Sequence, residues 1–216
     1  MNTIRCVIFD MDGVIINTEP LHKKAYYKTF EFLNLSVTDE LYYSFTGSST
    51  INIMQKLVSH YNLNESPAEL VLIKRAFFND LFKNDPDLQL IEGAEDCIKY
   101  FFTNGLTLVL ASSASHSTIN RVFERFNLDK YFIDKLSGAD LEKSKPDPEI
   151  FENAATLAGI PRENCIVIED SDNGVLAANR ANIYCVGYRS KHSKRQTLAT
   201  ADMVIDSFEE LKKLPI

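Results

Sequence analysis

The 216-residue sequence predicts an α/β fold: a parallel sheet with helices on both faces, and an all-helical domain inserted after its first strand. Three observations support this prediction. Short apolar runs, which are typical of buried parallel strands, occur at residues 6–9, 106–111, 165–168, 184–186 and 203–205. From residue 93 onward, amphipathic helical patterns alternate with these runs. Between residues 15 and 87 the apolar periodicity is helical throughout.

The helical stretch predicts a second domain. Residues 1–14 and 88–216 are expected to form the sheet core, and residues 15–87 a helical cap domain. The first cap helix should begin near Thr18, with Pro20 close to its first helical position. The second connection to the core lies around residues 84–87. A helical domain in this position is expected to close over the end of the first strand and to exclude water.

Composition and charge exclude several classes of protein. The net charge of −7 argues against a nucleic-acid partner, which would favour a basic surface. The four cysteines are scattered without CxxC spacing, which indicates buried thiols of a reducing compartment. No apolar run is long enough to span a membrane, so we expect a cytoplasmic protein and a monomer. The basic residues at 189–195 are interpreted as a solvated loop, with recognition of a polyanion as the alternative.

Two carboxylates, Asp10 and Asp12, directly follow the first apolar run. Ligands bind at the carboxyl ends of parallel strands, and alternate residues of an extended chain share a face. One carboxylate can therefore attack a substrate while the other moves protons, or both can hold a divalent cation. The alternative interpretation is an Asx turn that ends the strand, with Gly13 at the bend.

Further polar residues follow the later strands. Ser112 and Ser113 lie between an apolar run and a helical pattern, where a hydroxyl and backbone amides suit a phosphate oxygen. A helix N-cap is the alternative for Ser112, although Ser115 is the better placed cap. Lys145 precedes a proline, which holds its backbone extended, and its ammonium could neutralise a phosphate or a carboxylate.

Glu169 and Asp170 end the apolar run at residues 165–168 and repeat the situation at Asp10. Together with Asp10 they could complete an oxygen-rich site of the kind that Mg²⁺ prefers. Acidic residues at the start of the following helix are the alternative explanation.

In this order, the motifs at Asp10–Gly13, Ser112, Lys145 and Glu169–Asp170 resemble those of the haloacid dehalogenase superfamily. The resemblance extends over the whole chain, and the helical insertion is similar to the small cap of the subgroup with β-phosphoglucomutase and many small-molecule phosphatases. It implies a Rossmann-like core, a small-molecule phosphate substrate, Mg²⁺ and an aspartyl-phosphate intermediate.

The resemblance also implies residue roles. Asp10 is the nucleophile, and Asp12 protonates the leaving oxygen and then activates water. Ser112, Ser113 and Lys145 bind the transferring phosphoryl group. The metal ligands are Asp10, the main-chain carbonyl of Asp12, Asp170, and Glu169 directly or through water. Because dehalogenating and phosphonate-cleaving members lack the second acidic residue, the presence of Asp12 favours phosphoryl transfer to or from oxygen.

The cap residues bear on the choice between phosphatase and mutase. In β-phosphoglucomutase-like caps a glycine-containing loop carries a lysine and an arginine, whereas the matching stretch here has Thr46, Gly47, Ser48 and Thr50. A mutase must hold a second phosphate, so this difference favours hydrolysis of a sugar or polyol phosphate. Lys74 and Arg75 could replace the missing cation, with solvated residues of a cap helix as the favoured alternative. Thr18 and His22 match positions near the nucleophile loop in the subgroup. The alternatives are β-phosphoglucomutase and inorganic pyrophosphatase, with a catalytically inactive binding relative least favoured.

Overall fold

The computed structural model describes residues 3–43, 50–191 and 196–216. The chain divides into two units, one made of Met1–Asn17 with Gln89–Ile216 and the other of Thr18–Leu88. We call them the sheet unit and the helical unit.

The helical unit contains four helices within its described residues: α1 (Glu19–Phe32), α2 (Asp39–Tyr43), α3 (Thr50–Tyr61) and α4 (Pro67–Asn84). Helix α1 packs along α4, and the core between the helices is built from apolar and aromatic side chains, among them Tyr26, Phe30, Met54, Leu57 and Leu70. Helix α4 begins with a capping box, in which Ser66 and Glu69 satisfy each other's backbone N–H groups.

A six-stranded parallel sheet forms the centre of the sheet unit. Its strands are β1 (Cys6–Phe9), β2 (Thr107–Ser112), β3 (Asp134–Ser137), β4 (Cys165–Glu169), β5 (Tyr184–Tyr188) and β6 (Met203–Ile205). Their order in the sheet is β3-β2-β1-β4-β5-β6, and every neighbouring pair is parallel. The predicted α/β fold with a parallel sheet is therefore confirmed.

Four helices belong to the described part of this unit: α5 (Ala94–Thr103), α6 (His116–Phe126), α7 (Glu149–Ala158) and α8 (Asp172–Arg180). Side chains alternate between the two faces of a strand. Cys6 and Ile8 of β1 lie in one core cluster with apolar residues of α7 and α8. Phe9, on the opposite face, packs edge-on against Phe101 of α5 with ring centroids 6.4 Å apart. Both faces of the sheet are thus covered by helices, as predicted.

One strand of the sheet differs from the sequence prediction. Strand β3 was not predicted, because its residues Asp134 and Lys135 are polar and it lies at the edge of the sheet, paired only with β2. The last helical segment, Phe208–Lys213, is a 3₁₀ helix. All four cysteines are buried free thiols. Among the described residues, no helix combines the length and the apolar character needed to cross a membrane.

Candidate active site

The carboxyl ends of β1, β2 and β4 bring the predicted site residues of the sheet unit together. Phe9, the last residue of β1, pairs with Leu110 of β2 and with Ile168 of β4. Because these parallel strands are in register, Asp10, Ala111 and Glu169 each come one residue later at the same edge of the sheet. This register places two carboxylates beside each other, and Ser112 follows directly after Ala111.

Lys145 links these strand ends. Its ammonium Nζ donates to Oδ1 of Asp10 at 2.5 Å, to Oε1 of Glu169 at 2.8 Å and to the carbonyl oxygen of Ala111 at 3.0 Å. The side chain is 6% exposed, and Nζ lies 4.8 Å from the centre of the Phe151 ring. All three hydrogens of the ammonium are therefore used, so the charge is held in one position.

Burial and charge act in opposite directions on the lysine and the aspartate. Burial by itself lowers the pKa of Lys145, but the carboxylates of Asp10 and Glu169 outweigh it and raise the pKa, so the lysine stays an ammonium. Burial raises the pKa of Asp10 well above its usual range. The Lys145 ammonium opposes that rise, and the carboxylates of Glu169 and Asp170 add to it. Asp10 and Glu169 thus share one ammonium, and the charge of Asp170 adds to the negative charge around Asp10.

Glu169 is held from two sides. Oε1 accepts from Lys145, and Oε2 accepts from the backbone N–H groups of Asp170 and Ser171 and from the Ser171 hydroxyl, each at 2.9 Å. Both oxygens of this buried carboxylate therefore have protein partners. Ser171, whose hydroxyl also caps α8 by accepting from Gly174, was not identified from the sequence, since a serine after two acids is common at a helix start.

Asp170 lies against the turn that follows β1. Gly13 has a φ of +87°, and a Cβ atom at this position would lie 1.9 Å from Oδ2 of Asp170. Only glycine satisfies both the backbone conformation and the space. The carboxylate of Asp170 therefore enters the turn that begins with Asp10.

These oxygens fit a hard divalent cation. Asp10 and Asp170 offer carboxylate oxygens, and the turn after β1 offers backbone carbonyls, which are the donors that Mg²⁺ uses. In residues 3–43, 50–191 and 196–216, no three His, Cys, Asp or Glu side chains converge as a ready metal site. Magnesium commonly takes only one or two carboxylates and completes its shell with water, so two such side chains suffice. A divalent cation would also balance the excess of buried carboxylates.

The predicted phosphate-binding serines differ in exposure. Ser112 is buried and its hydroxyl oxygen accepts from the N–H of Ala114 at 3.1 Å. Because the oxygen is the acceptor in this bond, its own hydrogen remains available to donate to an anion. Ser113 is exposed. Ser115 is the residue that precedes α6, as expected, but its hydroxyl bonds to Ser117 and Thr118 and not to the helix backbone.

The two aspartates of the first motif lie in different environments. Asp10 is 7% exposed, whereas Asp12 is exposed. A residue that exchanges protons with a substrate and then with water needs access to both, and the exposure of Asp12 agrees with that requirement.

The helical unit contains a second buried lysine, Lys74 of α4, which is 4% exposed. Its Nζ lies 2.6 Å from Nδ1 of His22, and 4.8 Å and 5.1 Å from the ring centres of Tyr26 and Phe78. The His22 ring stacks on Phe78 at 4.3 Å. Lys74 is an ammonium surrounded mainly by rings, an environment that helical periodicity alone did not reveal.

The remaining cap positions of the sequence prediction are only partly described. Thr18 is buried and is the residue before α1. Thr50 begins α3 and its hydroxyl accepts from the Tyr26 hydroxyl at 3.3 Å. Thr46, Gly47 and Ser48 lie outside the described residues. The contribution of Thr18, His22, Thr50 and Lys74 to substrate binding stays a prediction.

Lys74 and His22, the two neighbouring basic groups of the helical unit, both have lowered pKa values. Burial, and then the charge of Lys74, lower the pKa of His22 to about 4, so the imidazole is neutral at pH 7. For Nδ1 to accept from the ammonium, the ring proton must be on Nε2. Burial lowers the pKa of Lys74 from 10.5 to about 8; the charge of Glu19 opposes this shift and that of Arg75 adds to it.

We expect Lys74→Met to stabilise the protein at pH 7. The unfolded state binds more protons than the folded state between pH about 8 and 10.5, so the contribution of Lys74 to the free energy of unfolding rises with pH through that window. The shift corresponds to a cost of up to about 3 kcal/mol below pH 8. Urea unfolding of both proteins from pH 7 to 11 measures the difference, which should shrink as pH rises.

Lys56→Met is the control, because Lys56 is an exposed lysine of α3 in the same unit. Its effect on the free energy of unfolding should be small. A Lys74→Met protein that is less stable than the wild type at pH 7 would show that the cation–π and imidazole contacts outweigh the cost of burial.

Comparison with known proteins identifies the family of this chain. The family model described as haloacid dehalogenase-like hydrolase matches residues 7–188. The phosphorylated carbohydrates phosphatase of Thermotoga maritima is 29% identical to this chain over 184 residues, which cover 83% of this chain and 82% of that protein. The 6-phosphogluconate phosphatase of Escherichia coli is 26% identical, with coverage of 100% of this chain and 95% of the relative.

A solved structure is similar over nearly the whole chain. The crystal structure of a Thermotoga maritima protein assigned as a β-phosphoglucomutase has a TM-score of 0.87 and 26% identity, and the match covers 98% of this chain and 100% of that one. The matched residues of the family model include Asp10, Ser112, Lys145, Glu169 and Asp170. The chain therefore belongs to the haloacid dehalogenase-like hydrolases.

Proposed function

We propose that this protein is a Mg²⁺-dependent phosphatase that hydrolyses a phosphate monoester of a sugar or polyol through an aspartyl-phosphate on Asp10. The observation that carries the proposal is the buried ammonium of Lys145, which bridges Asp10 and Glu169 beside Ser112. Relatives over most of the chain are named as phosphatases of phosphorylated carbohydrates, of 6-phosphogluconate and of hexitols. These names support hydrolysis over the mutase alternative.

Charge neutralisation makes Asp10 able to attack an anionic phosphate. A carboxylate and a phosphate repel each other, and phosphoryl transfer depends mainly on positioning and electrostatic stabilisation. Lys145 holds Asp10 in position and provides a positive charge next to the reacting atoms. The Ser112 hydroxyl donates to an oxygen of the phosphoryl group. A Mg²⁺ ion held by Asp10 and Asp170, with the main-chain carbonyl of Asp12, would supply further neutralisation of the transferring group.

The reaction proceeds in two steps in this proposal. A carboxylate oxygen of Asp10 attacks the phosphorus, the bond from phosphorus to the ester oxygen breaks, and Asp12 gives its proton to the departing alkoxide. Asp12, now a carboxylate, then takes a proton from a water molecule that attacks the phosphorus. The phosphorus–Asp10 bond breaks, which releases inorganic phosphate and returns Asp10 and Asp12 to their starting states.

The test is release of phosphate, with Mg²⁺, from a panel of sugar phosphates, polyol phosphates and pyrophosphate. We expect release from one or a few sugar or polyol phosphates. Conversion of β-glucose 1-phosphate to glucose 6-phosphate without release of phosphate would contradict the proposal, and release only from pyrophosphate would select the pyrophosphatase alternative.

Asp12→Asn is expected to lower kcat on the best substrate of that panel by about 10²- to 10⁴-fold, which is the usual contribution of a general acid–base residue. The loss should be smallest for substrates whose leaving group needs no proton, such as p-nitrophenyl phosphate. Asp206→Asn is the matched control, since Asp206 is an exposed aspartate that pairs with Arg189. If Asp12→Asn were as active as Asp206→Asn, Asp12 would have no role in the mechanism.

A further inference from the structure

The turn after β3 lies directly against the candidate phosphate-binding loop. Ser112, the last residue of β2, pairs in register with Ser137, the last residue of β3. The two strands therefore end together, and residues 113–115 and 138–140 leave the sheet side by side. At the outer end of this contact, Nε2 of His116 lies 2.7 Å from Oδ2 of Asp140.

Ser137 joins the two turns through its hydroxyl. The side chain is buried, at 4% exposure. Its Oγ donates to the carbonyl oxygen of Ala114 at 2.8 Å and accepts from the N–H of Ala139 at 3.2 Å. Ala114 also donates its N–H to the Ser112 hydroxyl. Both polar groups of Ala114 are thus held by serine hydroxyls, one from each strand end, which fixes the path of the loop.

Because Gly138 has no side chain, the loop at residues 112–114 can lie close to its backbone. A Cβ atom at this position would lie 3.1 Å from Cα of Ser113 and 3.3 Å from the carbonyl oxygen of Ser112. Both contacts are with backbone atoms, which cannot rotate away as a side chain can. Gly138 does not have a positive φ, so an alanine here is strained only by these contacts and not by its own backbone. Any side chain at 138 must therefore displace the loop.

We propose that Ser137 and Gly138 are positioning residues for phosphate binding, acting through the loop at residues 112–114. The inference rests on the proposed function for the identity of the ligand. In this proposal neither residue contacts the phosphoryl group. Ser137 fixes the orientation of the loop, and Gly138 allows the loop to approach the turn after β3 closely. The Ser112 hydroxyl then has one arrangement toward a phosphate oxygen.

The test compares Gly138→Ala, Ser137→Ala and wild type in binding of inorganic phosphate with Mg²⁺ by calorimetry, and in kcat and KM on the best substrate. A misplacement of 1 Å costs about 10²-fold, so a shift of a few tenths of an ångström should weaken phosphate binding and lower kcat/KM roughly three- to tenfold. Thr29→Val is the control. It removes a buried hydroxyl that donates to the Ala25 carbonyl in the helical unit, at 2.8 Å.

The outcomes separate the two proposals. Weaker phosphate binding in both variants, at a melting temperature no lower than that of Thr29→Val, supports the positioning role. Phosphate binding and kcat/KM equal to those of the wild type, with only the melting temperature lowered, would overturn it. A wild-type protein that binds phosphate but hydrolyses no ester would contradict the proposed function, while calorimetry on the two variants would still test the loop.

Discussion

Replacement of Asp10 by asparagine is expected to abolish phosphate release, with kcat lowered by about 10⁴- to 10⁶-fold, as for removal of a catalytic nucleophile in other enzymes. The amide is nearly the same size as the carboxylate but is a poor nucleophile. It also carries no charge, so a cation at this site loses the negative charge of one ligand. The fold should persist, because Lys145 keeps Glu169 and the Ala111 carbonyl as partners.

Phosphate release under multiple turnover measures this effect, and acid quenching followed by mass spectrometry of the peptide that contains Asp10 tests for a phosphorylated residue. The wild type should carry the phosphoryl group after quenching with substrate, and Asp10→Asn should not. Asp206→Asn, an exposed substitution of the same chemistry, is expected to behave as the wild type. Phosphate on another residue would identify a different nucleophile and contradict the proposed mechanism.

Replacement of Lys145 by methionine is expected to remove activity and also to destabilise the fold by about 3–5 kcal/mol, the usual cost of leaving a buried charge without its partner. Asp10 and Glu169 are both buried, and Lys145 is the cation that contacts each of them. Methionine fills similar space but offers no donor, so the carboxylates face each other and Asp170 uncompensated. The substitution would also remove the positive charge next to the reacting atoms.

Urea unfolding at pH 7, with a chelator present, measures the change in the free energy of unfolding. Lys99→Met is the control, since Lys99 forms an exposed pair with Glu95 one helical turn away and its loss should change the stability little. A loss for Lys145→Met no larger than for Lys99→Met would show that the carboxylates do not depend on the ammonium. Added Mg²⁺ should recover part of the lost stability, because a bound cation replaces some of the missing charge.

The two buried lysines are expected to respond in opposite directions, and the reason lies in their surroundings. Two carboxylates surround Lys145 and raise its pKa, so the folded protein favours its charged form. Lys74 has a neutral imidazole and two rings as its nearest partners, and its pKa is lowered to about 8. The same substitution by methionine should therefore destabilise the protein at Lys145 and stabilise it at Lys74.

Much of the fold could be predicted from apolar periodicity. Strands β1, β2, β4 and β5 coincide with apolar runs because both of their faces are covered, so nearly every side chain is buried. The edge strand β6 was also predicted, because all three of its residues are apolar, although only Ile205 is buried. Strand β3 was not predicted, because only Leu136 in it is strongly apolar and the strand lies at the sheet edge. Its residue Ser137, which contacts the candidate phosphate-binding loop, was therefore not identified from the sequence either.

By itself, the sequence predicted which residues would carry the chemistry, and it determined the end of the sheet where they lie. Aspartate, serine and glutamate after buried runs must emerge at the carboxyl ends of parallel strands, because apolar segments leave charges only at their termini. Only the tertiary structure decided how these residues share their charges. Lys145 uses its three hydrogens on Asp10, Glu169 and Ala111, and both Glu169 oxygens have partners. Lys74 is buried among aromatic rings. These arrangements depend on contacts between residues far apart in the chain. Local periodicity records which face a residue occupies, whereas its partners across the core are set by packing.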